Sequence, residues 1–169
     1  MIPIDPGNQC TLREAIIEAN AAANGSEPDI IAFNIPSTAS PSDPHVLTLS
    51  SELPAIIDPV ESDGSTEPDY VSLPVIEIDG SSAGSDANGL TSDIDLDGVG
   101  GQLELTAVSV INFDGDGLNL TDGVNRVVDA HTGVRADGLT AGPNGRGAFI
   151  GGSADGSTVT SSILSANLD

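Results

Sequence analysis

The stretch DIDLDGVGGQLE, residues 93–104, places Asp93, Asp95, Asp97, Gly98 and Glu104 at the D-x-D-x-D-G-x₅-E spacing of a helix–loop–helix calcium site. In such a loop alternate carboxylates supply hard oxygen ligands, the glycine allows the sharp turn and the final Glu closes the shell. The flanks argue otherwise. SSAGSDANGLTS upstream is rich in Gly and Ser, LELTAVSVINF downstream reads as strand, and the eighth loop position is Gly100, where paired loops use an apolar residue. Read as a strand, the segment turns Ile94 and Leu96 inward and leaves Asp93, Asp95 and Asp97 facing water. Those three carboxylates, or Asp114 and Asp116 in FDGDG, could still gather a Ca²⁺ ion that relieves their repulsion. A solvated acidic face needs no ion, and nothing in the sequence requires a cofactor.

The other reactive side chains are few. His45 in SDPHV and His131 in DAHTG each lack a second His or Cys at ligand spacing, so both read as lone surface or turn histidines. Cys10 is the single cysteine, which excludes an internal disulfide and a multi-cysteine metal site; it reads as a small buried apolar group. No Ser stands in a nucleophile elbow and no phosphate loop is present.

The elements that must position these groups follow from composition and period. Aromatics make up 2% of the 169 residues, while Gly and Pro number 20 and 11, so the core must be built from Val, Ile, Leu and Ala in short strands. Twenty-six acidic residues stand against four Arg and no Lys, a formal charge of −22. That charge repels phosphate backbones and anionic membranes, and no apolar run approaches the length of about 18 residues that a membrane span needs. TLREAIIEANAAANG predicts a helix over about 11–24, with Thr11 and Glu14 as a capping box and Leu12, Ala15, Ile16 and Ala19 as its apolar stripe. Period-two segments follow: Ile31, Phe33 and Ile35; Leu47 with Leu49, or Val46 with Thr48; Ile76 with Ile78. From residue 90 the strands shorten, and GLNLTDGVNRVVD matches GAFIGGSADGSTVTS at an offset of about 30 residues, the signature of stacked repeats.

Three regions result: an N-terminal cap over 1–29, irregular rungs with long loops over 30–89, and regular rungs over 90–169 that stop mid-rung. The segments CTLREAIIEANAAAN, DIIAFNIP, LTLSSELPAI and PVIEIDGSS resemble the N-terminal region of bacterial right-handed parallel β-helix proteins with the C-S-L-R-E-A motif, matched here from Cys10 to Ala15 with Thr for Ser. VINFDGDGLNL and GVRADGLTAGPNGRGAFI look like rungs of the same family. The resemblance implies an all-β fold, a single-stranded right-handed parallel β-helix with an N-terminal capping α-helix. It also implies a secreted or cell-surface protein whose export signal lies outside this chain. Family-like Asn in the turns is sparse in VVDAHTGVRADG and TVTSSILSAN, which predicts a weak internal Asn ladder.

Pectin-lyase-like enzymes share that architecture, but a fold does not grant an activity. A lyase needs carboxylates and a base, for which the candidates are Arg126, Arg135 and Arg146 with Asp114, Asp116, Asp129 and Asp137. Arg126 and Arg135 read first as partners of neighbouring surface Asp, and Arg146 as a turn residue, ahead of any catalytic role. The expectation is a non-catalytic structural or adhesive solenoid, self-associating through its ends. The alternative is a lyase, hydrolase or binding module for extracellular polysaccharide.

Overall fold

A computed structural model describes residues 2–4, 11–25, 27–36, 38–94 and 103–169. The chain climbs in rungs. Strand β1 (Ile2–Ile4) leads into helix α1 (Leu12–Ala21); β2 (Asp29–Phe33), β3 (His45–Thr48) and a single bridge at Ile56 form the first full rung. The next is β4 (Val60–Asp63), a 3₁₀ turn at Gly64–Thr66, β5 (Ile76–Asp79) and β6 (Leu90–Ser92). Then come β7 (Leu103–Thr106), β8 (Val108–Ile111) and β9 (Asp116–Leu120), followed by β10 (Arg126–Val128), β11 (His131–Thr132) and β12 (Arg146–Ile150), and finally β13 (Thr158–Thr160) and β14 (Ile163–Leu164).

Every strand pairs parallel with its counterpart one rung away, giving three sheets ordered β1-β2-β4-β7-β10-β13, β3-β5-β8-β11-β14 and β6-β9-β12. The result is a parallel β-solenoid of about four turns. Like residues stack on like: Ile78 on Val110, Leu105 on Val127, Leu90 on Leu118. A narrow interior filled this way needs few rings, and Phe33 and Phe113 are the buried ones. The sequence self-match is the register of the third sheet, where Asp116 faces Arg146 and Leu118 faces Ala148, an offset of 30 residues (116 to 146).

The corners are tight because single residues turn them. Ala107, Asp129 and Ser161 end β7, β10 and β13 at φ 55°, 50° and 52°, one above another, so these three rungs bend at the same height with left-handed backbone. That conformation costs a non-glycine residue about 1–2 kcal/mol, which the amide bonds from Ala107 to Val128 and from Asp129 to Thr160 offset. Helix α1 carries the capping box at Thr11 and Glu14 and buries Leu12, Ala15, Ile16 and Ala19 against the first rung. It ends at Ala21, short of Gly25, because Ala22 turns extended. Asn20 and Asn24 already bond the backbone of Ala55 and Pro59 there. Two asparagines meet across successive rungs. Asn144 is buried, accepts from the Phe113 amide, and meets Asn167 at 3.2 Å.

Candidate functional site

The three arginines singled out for catalysis sit apart: Arg126 on the first sheet, Arg146 on the third, and Arg135 in the segment that follows β11. Arg126 of β10 lies in register with Glu104 of β7 and forms an ion pair with it on the outer face of the first sheet. Arg146, expected in a turn, opens strand β12 because its register partner is Asp116 of β9. Its guanidinium grips that carboxylate at 2.6 and 2.9 Å while lying 4.7 Å over the Phe149 ring. Arg135, just beyond β11, reaches past a whole rung to Glu77 of β5 at 2.6 Å. The fourth arginine, Arg13 of α1, donates to the carbonyls of Ser51 and Glu52 at 2.8 Å. Every basic side chain of the protein is thus engaged in holding one segment to another.

The Arg135 contact belongs to a covered polar column. Glu77, Ser109 and His131 are register partners on the outward face of the second sheet, where period two would give them to water. All three are buried, Glu77 to 0% exposure and His131 to 2%. The cover is the segment 133–142, folded back on itself by the Val134–Ala141 bridge and by the bond from the Gly142 amide to the Gly133 carbonyl. Ser109 donates to the Val134 carbonyl, His131 Nδ1 lies 3.1 Å from the Arg135 carbonyl, and Glu77 accepts from the Ala136 amide. Asp137 locks the tip by accepting from Thr140 and Leu139, which holds its carboxyl down at about 2. Burial pushes His131 below its ordinary value and keeps it neutral at pH 7, and burial pushes Glu77 up against the pull of the Ala136 amide and Arg135. His131 therefore departs from the surface or turn histidine that its isolation implied.

The calcium candidates separate. Asp95, Asp97 and Gly98 lie outside the described residues, as does Cys10. Asp93 is exposed and Ile94 buried, as the strand reading requires, and Glu104 belongs to β7 rather than to a helix. Asp116 has its carboxylate taken by Arg146, and Asp114 accepts from the Asp86 amide at 3.0 Å. Asp114 lines an open groove of about 710 Å³ with Gly80, Ser81, Asn112, Phe113 and Leu168; among the described residues no basic side chain lines it.

One cluster had no signal in the sequence. His45 opens β3 on the side that stacks on Ile76, so its ring enters the interior at 9% exposure, contrary to a surface histidine. The chain after the 3₁₀ turn brings Glu67, 2% exposed, and Asp69 to the same corner. His45 Nε2 lies 3.7 Å from Glu67 Oε1. The three residues each present one donor atom, all within 4.8 Å of one another. Glu67 Oε2 accepts from the Ile35 amide at 2.9 Å and Asp69 Oδ2 from the Ala39 amide at 2.7 Å. The spacing of 22 and 24 residues between His45 and the two acids, set by a long irregular loop, carries no motif.

No protein-family model matches this chain, and neither curated proteins nor solved structures yielded a match. Among the described residues no helix is long and apolar enough to cross a membrane.

Proposed function

We propose that the chain is a structural or adhesive solenoid of a secreted or cell-surface protein, without catalytic activity. The observation that carries this reading is the use of all four arginines. Each is committed to a neighbouring segment, so a polysaccharide lyase that used an arginine as its base would have to break one of these contacts first. The acidic surface that remains keeps a rod soluble and repels nucleic acid.

Assembly follows from the two ends. Helix α1 covers the first rung, and among the described residues β1, β3 and, apart from the Ile56 bridge, β6 toward that end and β12, β13 and β14 toward the other each pair on one side. Self-association through these solenoid ends is the assembly that this reading implies, with edge-strand pairing between copies as its physical basis. Light scattering coupled to small-angle X-ray scattering over a concentration series tests this. The expected result is a mass that rises with concentration together with growth of the longest dimension. A monomer of constant dimensions at all concentrations refutes the self-association, and double-bond formation on polyuronates refutes the non-catalytic reading.

A further inference from the structure

We propose that His45, Glu67 and Asp69 form a binding site for one first-row divalent metal ion of the Zn²⁺ class. An imidazole nitrogen and two carboxylate oxygens within 4.8 Å of one another stand close to the separation of about 3.4 Å that ligands of one tetrahedral Zn²⁺ adopt, so closure needs side-chain movements of an ångström or so. Two features mark this cluster off from the acidic surface. First, His45 projects from the inward row of the second sheet and Glu67 is 2% exposed, so a carboxylate is held away from water in a chain whose four arginines are all engaged elsewhere. Second, both carboxylates are fixed from behind. The Ile35 amide holds Glu67 Oε2 and the Ala39 amide holds Asp69 Oδ2, while Glu67 Oε1 faces the imidazole. That is the outer-shell arrangement that orients ligating carboxylates.

The donor set also selects the ion. Ca²⁺ takes oxygen ligands in larger number, whereas one imidazole with two carboxylates suits Zn²⁺, Co²⁺ or Mn²⁺. Bound there, the ion joins β3, which supplies His45, to the segment between β4 and β5, which supplies Glu67 and Asp69. The site would therefore clamp the first full rung to the second. It stands apart from the assembly reading above, which concerns strand edges rather than this corner.

The probes are Zn²⁺ by titration calorimetry and Co²⁺ by its visible absorption, on the untagged chain. One saturable equivalent is expected, with Co²⁺ bands that Zn²⁺ abolishes and a large excess of Ca²⁺ leaves in place. His45→Asn and Glu67→Gln should each weaken binding on the order of 100-fold or more, since losing even an outer-shell partner costs about 10–100-fold, and Asp114→Asn should leave it unchanged. Nitrogen-detected NMR of the two imidazoles gives a test that needs no variant: Zn²⁺ should shift His45 Nε2 and leave His131 in place. Binding that is unsaturable, that Ca²⁺ displaces, that survives His45→Asn, or that leaves the His45 resonance unmoved overturns the site.

Discussion

Replacing Arg135 with alanine isolates the Glu77 carboxylate beneath the 133–142 segment. Glu77 is fully buried, and its remaining partner would be the Ala136 amide at 3.2 Å. Removing one member of a buried ion pair costs about 3–5 kcal/mol. Arg135 keeps 39% of its side chain in solvent, which screens the pair, so the expected loss at neutral pH is about 2–3 kcal/mol. In a chain of this length that lowers the melting temperature by about 5–10 °C.

The loss has a signature in pH. Burial raises the Glu77 carboxyl above its ordinary 4.5 while the Ala136 amide and Arg135 lower it, so Arg135→Ala raises it further. A carboxyl raised in the folded state stabilises the fold fully below its unfolded value and loses that contribution as pH rises through the folded value. The gap between Arg135→Ala and the parent protein is therefore small at about pH 4, where both carry a protonated Glu77. It widens as pH rises toward neutrality and levels off above the variant's folded value. Urea unfolding followed by far-ultraviolet circular dichroism reads it, since the chain has no Trp. In a Glu77→Gln background the same arginine substitution should cost under about 1 kcal/mol. An equal penalty at both pH values, or additivity of the two substitutions, refutes the reasoning.

Arg126→Ala breaks a pair whose arginine side chain is 50% exposed and should cost under about 1 kcal/mol, the cost shrinking with added salt in the same unfolding assay. Gly64→Ala would place a methyl group 2.3 Å from the Ala107 carbonyl oxygen, where the 3₁₀ turn crosses the next rung's corner. It should destabilise by about 1–3 kcal/mol in thermal melts, and a neutral result would refute the tight packing of that corner.

Local chemistry made much of the fold legible. The capping box needs only Thr11 and Glu14 three apart, and it is formed. Ile31 with Phe33 and Ile76 with Ile78 bury as their alternation requires, because side chains of a strand alternate faces whatever the strand pairs with. The offset between 117–129 and 147–161 surfaced because stacked rungs demand like residues at like heights. Glu77 was illegible for the same reason that Ile76 was legible. Period two assigns it to the outer face and cannot know that residues 133–142, two rungs later, will fold over it. The corners were equally silent, since Ala107, Asp129 and Ser161 share no residue type that announces left-handed backbone.

The sequence by itself determined that the core would be aliphatic, the elements short, one end helical and the surface strongly acidic, because these depend on composition and on neighbours a few residues away. Only the tertiary structure decided that four arginines would each find a distant partner, that His131 would be buried, and that His45 would meet Glu67 and Asp69 at one corner. Those contacts join residues 22 to 58 positions apart, at separations set by loops of unequal length, and burial there depends on which segment lies on top. Spacing along the chain carries no trace of that until the rungs are stacked.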